Sequence, residues 1–525
     1  MKLPRFLRTR AEEMNDFVDI NDPRSLAATK LVMGDRQVPH DAEAADDVRD
    51  FYLHQPELQG RYPLALLPVG QKRFIKWLLG KRGERHSFSD QAITSFLHET
   101  AAALARGIWT TYLINPEWQH RFPDTLTNEQ ELLRWLRREF PSYRPLKAVT
   151  SLPRVTTPSG CKGVNILGHF CYPSGLQRAA LNTRAALGAV GWETSCRDVP
   201  AGVATTLTSR DEWLAMELYP VTIINIAPLP HFESCYARAG LFRHKDTYRV
   251  AYWYWELENA PWKHLASLVD EIWAPTPFVA DALRAAMSLP VYEMLPSVAL
   301  ASDEKVTKPS LGIPNDHFVF LFMFDMCSGF ERKNPIGLIQ AFRKAFSSTE
   351  KVTLLIKLMR GDYDSVALAR LTAEAAGAQV IVVDKVVSQP KALGYIALGD
   401  CFVSLHRSEG FGLGLAEAML LGKPVIATNY SGNLAFMDTT NSLLVDYKLV
   451  PVANGNGVYP AGSFWADPSE EHAAQRMRQV YDDRDEAMTR AAQAQKEVSE
   501  KLSVEVAGSR MLSRLTVNAE GPGSS

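Results

Sequence analysis

Glu409 and Glu417 stand eight positions apart in the stretch HRSEGFGLGLAEAM, with Gly410, Gly412 and Gly414 between them. CFVSLH before the first acid reads as a strand and LGLAEAMLLG as the helix that follows, so RSEGFG is the loop at the strand's carboxyl end. Residues without Cβ leave backbone N–H groups open to a ligand above the strand, where they can donate to hydroxyl or phosphate oxygens. Glu409 can accept from one vicinal diol, and Glu417, about one turn into the helix, from a second diol some way off. A polyol, an anionic middle and a further diol describe a nucleotide-sugar: pyranose, diphosphate, ribose. Each part also has a plain structural alternative, since the helix dipole alone favours acids near an N-terminus and glycines are ordinary turn residues. The dinucleotide pattern G-x-G-x-x-G fits poorly. Leu415 takes the third glycine's place, and Asn429 stands where that fold has an acid.

The negative middle of such a ligand needs positive charge. FERKNP follows the apolar run FVFLFMF and precedes a helix with Asn334 as N-cap and Pro335 at N1. Arg332 and Lys333 thus sit beside a positive helix end, suited to a departing nucleoside diphosphate. Lys357, ending VTLLIKL, is a further diphosphate candidate or a snorkelling strand lysine. Glu256 lies in YWYWELE, an acid among aromatics at a strand end; it is a candidate acceptor contact, while Trp253 and Trp255 could equally be core.

These residues need two sheets to position them. From Gly163 short apolar runs (GVNILG, VTIINIA, RVAYWYW, EIWAP) alternate with helical segments; after the polar joint ASDEKVTKPSLGIPND the rhythm restarts with FVFLFMF, VTLLIKL, QVIVVD, CFVSLH and PVIAT. That is the pattern of parallel sheets covered by helices, which bind ligands at strand carboxyl ends. The first 150 residues read as helical and carry a repeat: YLHQPELQGRYP (Tyr52 to Pro63) recurs as YLINPEWQHRFP (Tyr112 to Pro123). Each copy leads into an amphipathic helix, the second with Thr127 and Gln130 spaced as a capping box. Lys72, Arg73, Lys76, Lys81 and Arg82 form a basic patch that faces solvent or lipid phosphates. The expected organisation is a helical extension over 1–150, an α/β domain over 160–300, a second over 311–483, and a helix over 484–516 packing across their junction.

SEGFGLGLAEAMLLGKPVIATNYSGN resembles the E-x7-E segment of retaining glycosyltransferases with the GT-B fold, family 4 (glycosyl transferases group 1). FERKNPIGLIQAFRKAF and NSLLVDY extend the resemblance, and YWYWELENAPW and DEIWAPTPFVADAL do so more loosely, over roughly Gly163 to Asp482. The resemblance implies two Rossmann-like doubly wound domains facing across a cleft. It implies that Glu409 holds the donor sugar with the amides of Gly410, Phe411 and Gly412, and that Glu417 grips the ribose. It makes Lys333 the phosphate lysine, Gly175 a phosphate- or acceptor-side glycine, and His231, in APLPHFES, a histidine near the donor sugar. The family's partner arginine lies five or six residues before its lysine, where this chain has Ser328 and Cys327, so Arg332 becomes the candidate substitute. The activity implied is hexosyl transfer from a nucleotide-diphosphate sugar to a hydroxyl of a saccharide or lipid-linked saccharide, with retention, in bacterial surface-polysaccharide assembly. In that mechanism no Asp or Glu nucleophile sits on the reactive face and the leaving phosphate takes the acceptor's proton. No cofactor or metal is expected, helix dipole and basic residues serving instead; Asp362-Tyr363-Asp364 has the D-x-D form of a metal site but precedes a helix, where acids cap. The alternatives are a non-catalytic nucleotide-sugar-binding scaffold or a phosphorylase on the same fold.

The 525 residues are 46% hydrophobic and 22% charged with net charge −2, which gives no bulk reason for nucleic-acid binding. Six scattered cysteines lack zinc spacing and read as reduced thiols. The N-terminal MKLPRFLRTRAEEMNDF has no apolar h-region, and no apolar run reaches the ~18–20 residues of a membrane span. The expected setting is cytoplasmic, with peripheral contact at the inner face of the membrane, and the helical extension is a candidate protein-binding element.

Overall fold

The computed structural model describes residues 42–79, 88–122, 125, 128–153, 162–200, 213–228, 232–239, 241, 247–377, 379–452, 459–460 and 462–519. They form two units, one from Met1–Cys161 with Cys196–Met216 and Tyr236–Lys245, the other from Lys162–Ser195, Glu217–Cys235 and Asp246–Ser525.

In the first unit the repeat is built twice from the same bonds. Helices α1 (Ala42–Leu53), α2 (Pro56–Arg61) and α3 (Gln71–Leu78) make one copy; α4 (Asp90–Ala102), α5 (Leu104–Ile114), α6 (Pro116–Arg121) and α7 (Gln130–Glu139) lead into and complete the other. Pro56 and Pro116 open the short helices at the position where a missing N–H costs nothing. Tyr52 Oη donates to Tyr62 O at 2.8 Å, and Tyr112 Oη to Phe122 O at 3.1 Å. Gln59 Nε2 donates to Leu53 O at 2.7 Å, and Gln119 Nε2 to Leu113 O at 2.9 Å. Buried polar side chains thus answer the carbonyls left open where each helix ends. Trp77 packs on Tyr62 and Trp135 on Phe122, at ring separations of 6.2 and 5.3 Å. The capping box is not seen: α7 starts at Gln130 without a side-chain cap on Glu129, and Thr127 lies outside the described residues. Of the basic patch, Arg73 and Lys76 are exposed, while Lys81 and Arg82 lie outside the described residues.

The second unit carries two parallel six-stranded sheets, the GT-B architecture expected. The first sheet holds β1 (Gly163–Gly168), β2 (Glu193–Asp198), β3 (Val221–Asn225), β4 (Tyr248–Tyr252), β5 (Glu271–Ala274) and β6 (Val291–Glu293) in the order β2-β1-β3-β4-β5-β6. Helix α8 (Gly175–Ala189) follows β1, α9 (Phe232–Arg238) follows β3, and α10 (Pro277–Ala286) follows β5. The helix expected near Pro261 is a 3-10 turn, Lys263–Leu268.

The second sheet holds β7 (Phe318–Asp325), β8 (Val352–Met359), β9 (Val380–Asp384), β10 (Cys401–Ser404), β11 (Val425–Thr428) and β12 (Leu443–Val445) in the order β12-β11-β10-β7-β8-β9. Its strands are continuous apolar runs because both faces are covered. Phe320, Ile356 and Val403 face one cluster with α12 (Pro335–Ala345), α13 (Ser365–Ala375) and α16 (Glu470–Asp482). Leu355 and Phe402 face the other with α14 (Gln389–Leu398), α15 (Leu413–Leu420) and α17 (Arg484–Lys501). A two-stranded ribbon, β13 (Tyr447–Pro451) with β14 (Phe464–Pro468), follows.

The single terminal helix expected is two. α17 ends at Leu502, whose carbonyl accepts from Val298 N at 3.0 Å, and α18 (Val504–Ala519) runs on to pack against α8. A Cβ on Gly508 would lie 2.2 Å from Ala186 O, so only glycine admits this approach of the two helices. Arg514 of α18 pairs with the fully buried Glu271 at 2.6 Å.

Candidate active site

In an open parallel sheet the ligand crevice lies outside the strand carboxyl ends, where the strand order reverses. Here the chain runs from β7 outward to β8 and β9, then returns to β10 on the other side, so the reversal lies between β7 and β10. Lys333 follows β7 and Glu409 follows β10. They form an ion pair across the reversal, Lys333 Nζ to Glu409 Oε1.

Local structure explains why Lys333 reaches that point. Residues 330–333 form one helical turn, α11 (Phe330–Lys333), closed by Asn334 in the left-handed conformation, φ 52°. Asn334 Oδ1 then accepts from Gly337 N and caps α12, while its Nδ2 donates to Leu405 O at 3.0 Å. Glu409 is 9% exposed. Burial pushes its carboxyl up, but Lys333 and Arg332 outweigh burial and hold it at about 2. Its N–H donates to Ser431 Oγ at 2.8 Å, and Ser431 itself takes φ 79°, a strained conformation for serine. Burial lowers the Lys333 ammonium and Glu409 partly restores it. The carboxylate and ammonium are therefore held charged and oriented.

Arg332 reaches the other oxygen of the same acid and is held more tightly. Nε and Nη2 both donate to Ser328 O, Nη1 donates to Ser408 O at 2.7 Å, and the group lies 3.4 Å from Glu409 Oε2 and 3.6 Å from Glu256 Oε1. It is 3% exposed, a buried strut between carbonyls and two acids. It shares Glu409 with Lys333, and its hydrogen bonds run to the Ser328 and Ser408 carbonyls. Glu256 thus joins the same cluster, and burial raises its carboxyl despite Arg332. Trp253 and Trp255, at 0% and 3% exposure, are core.

The glycines also differ from expectation. A Cβ on Gly410 would lie 2.8 Å from Trp255 O, and one on Gly414 would press on the Phe402 ring at 3.2 Å. Gly412 has φ 91°, at the N-cap of α15. Gly410 O accepts from Thr276 Oγ1 at 3.0 Å, and Ser408 Oγ donates to Glu256 O. At Gly410 the bare backbone makes room for the first sheet's strand-end loop. Phe411 is buried against Phe436, ring centroids 5.0 Å apart, leaving only its backbone near the loop surface.

Glu417 lies on α15 with its carboxylate 3.9 Å from Arg178 Nε of α8. Burial, little relieved by Arg178, pushes it up to about 7. Arg178 was not foreseen; a lone arginine in a helix gives no sequence signal. Gly175 opens α8 behind the Ser174 cap, and space beside it is open. Lys357 is 3% exposed near the end of β8. His231 lies outside the described residues. His406, also unforeseen, is fully buried between Ser404 Oγ and Asn433 Oδ1, and burial lowers it to about 4, so it is neutral and props the loop. Asp364 of the D-x-D triplet caps α13 by accepting from Ala367 N at 2.9 Å.

Residues 317–453, the second sheet from its first strand through β13, match the family model described as Glycosyl transferases group 1. The second sheet is a glycosyltransferase domain. Its two E-x7-E acids, its lysine and the Ser431 turn all fall inside the matched span. Among solved structures, the chain is similar to HepE of Anabaena in complex with UDP and glucose, at 14% identity over 68% of this chain and 100% of that one, TM-score 0.47. It is similar to sucrose-phosphate synthase of Thermosynechococcus elongatus, at 15% identity over 68% and 100%, TM-score 0.49. A glycosyltransferase of Rickettsia africae gives 14% identity over 67% and 97%, TM-score 0.48. No curated protein sequence matches the chain. Among the described residues no helix is long and apolar enough to cross a membrane.

Proposed function

We propose that this glycosyltransferase moves a hexosyl group from a nucleotide-diphosphate sugar to a hydroxyl of a saccharide or lipid-linked saccharide, with retention of anomeric configuration. The observation that carries the reading is the Lys333–Glu409 pair astride the strand-order reversal of the glycosyltransferase domain. An anionic acceptor held charged suits sugar hydroxyls, and an ammonium beside it suits the oxygen that gains charge as the diphosphate departs. Glu417 accepts from the ribose in its ionised form. Glu256, joined to Glu409 through Arg332, is the acid on the acceptor side. The diphosphate that leaves takes the acceptor's proton, so no metal or cofactor is part of this scheme. Bacterial surface-polysaccharide assembly is the setting proposed, in the cytoplasm at the inner face of the membrane.

The test is release of nucleoside diphosphate from a panel of nucleotide-sugars, with and without saccharide acceptors, by the full chain and by Glu409→Gln. Acceptor-dependent release that the variant loses supports the reading. Equal release by both proteins removes Glu409 from the chemistry.

A further inference from the structure

The cations at the carboxyl ends of β7 and β8 are not equivalent. Lys333 is taken by Glu409, and Arg332 by two carbonyls and two acids. Arg360, just past β8, pairs with Asp325 through Nε and Nη2, donates to Pro173 O at 2.9 Å, and lies over the Tyr172 ring at 4.4 Å. Asp384, ending β9, accepts from Gly361 N. Lys357 alone among these has neither a hydrogen bond nor an ion pair among the described residues, although it is 3% exposed. An ammonium on a side chain so largely withdrawn from water, with no partner of its own, is suited to an arriving anion. Burial accordingly draws it down to about 8, with Asp325 and Asp384 opposing and Arg360 adding to the fall.

Its position says which anion. Lys357 pairs in register with Met323 of β7 and Val383 of β9, so it alternates onto the sheet face of Leu355. That face is covered by α15, the helix that carries Glu417. Along the sheet the order is β10, β7, β8, which sets Lys357 one strand beyond Lys333, across β7 from β10, on the sheet face that α15 covers. Positions 327 and 328, where the resemblance expects an arginine, hold Cys327 and Ser328.

We propose that Lys357 binds the diphosphate of the donor, with Arg360 as the positioning residue that fixes the end of β8 against Asp325, Tyr172 and Pro173. This rests on the donor reading above and adds to it a second cation for the phosphates, one that no protein acid occupies. When the diphosphate enters, the ammonium gains the partner it lacks, and it holds the proton more tightly in the complex than in the free enzyme.

Calorimetric titration of the full chain and of Lys357→Met with uridine, guanosine and adenosine diphosphates, each beside its parent nucleoside, tests the assignment. The variant is expected to lose about tenfold or more in affinity for the diphosphate that the unaltered protein binds, and to hold the nucleoside within about twofold. The unaltered protein's diphosphate affinity is expected to fall between about pH 7 and about pH 9 by more than the variant's. Unchanged diphosphate affinity in Lys357→Met, or equal loss for nucleoside and diphosphate, overturns the assignment alone. Failure of the unaltered protein to bind any of the three diphosphates overturns the donor reading, and this assignment with it.

Discussion

Lys333 and Glu409, 76 residues apart in the chain, meet as a largely buried ion pair that joins the loops after β7 and β10. Removing Lys333 leaves the buried Glu409 with Arg332 alone at 3.4 Å, and removing Glu409 leaves the Lys333 ammonium without its partner. Lys333→Met is therefore expected to lower stability by about 1–3 kcal/mol and to abolish transfer. Thermal melts and a turnover assay check both; a fully stable, active variant would refute the pairing's importance.

Gly410 and Gly175 give opposite expectations for the same change. At Gly410 a methyl group meets Trp255 O at 2.8 Å, whereas at Gly175 nothing lies within 4 Å. Gly410→Ala should destabilise by about 1–3 kcal/mol and weaken activity, because the E-x7-E loop must retreat from the first sheet. Gly175→Ala should melt within about 0.5 kcal/mol of the parent. Equal melting shifts would show that the loop is not closely packed there.

The acid on α15 sets a pH dependence. Burial pushes its carboxyl up to about 7, above the ordinary carboxylate range, so the protonated form is favoured in the fold. Stability from this group is full below the ordinary carboxylate range and is lost as pH rises through about 7. If Glu417 accepts from the ribose as proposed, it does so ionised, and nucleoside affinity should climb through the same window. Glu417→Gln should flatten that climb, and titration calorimetry across the range reads it directly.

The helical duplication offers a matched pair of tests. Tyr52→Phe and Tyr112→Phe each remove one hydroxyl donor from a buried carbonyl, and each should cost about 1 kcal/mol. Chemical denaturation of the two single variants should give similar losses. A large disparity would mean that the copies no longer share one structural logic.

Sequence made the sheets legible because strands buried on both faces must be apolar throughout, and FVFLFMF and VTLLIKL are. Lys333 was legible because Asn334 and Pro335 announce the helix start behind it. Direction was not. Arg332 and Lys333 are adjacent and both meet Glu409, yet only the arginine is also tied to the Ser328 and Ser408 carbonyls and to Glu256. Nor can a glycine's spelling say what approaches it: Gly410 reads alike whether a phosphate or the Trp255 backbone comes near. Arg178 and His406 were silent because their partners, Glu417 and Asn433, lie far along the chain or across the sheet.

The break at Leu502 gives the enzyme a single tether for both halves. α17 leans on α15 of the glycosyltransferase domain, α18 on α8 of the other sheet, and the carbonyl between them is fastened to Val298. A chain stopped at that break would keep the cover of the second sheet while stripping the first of its outer brace and of the cation that neutralises Glu271.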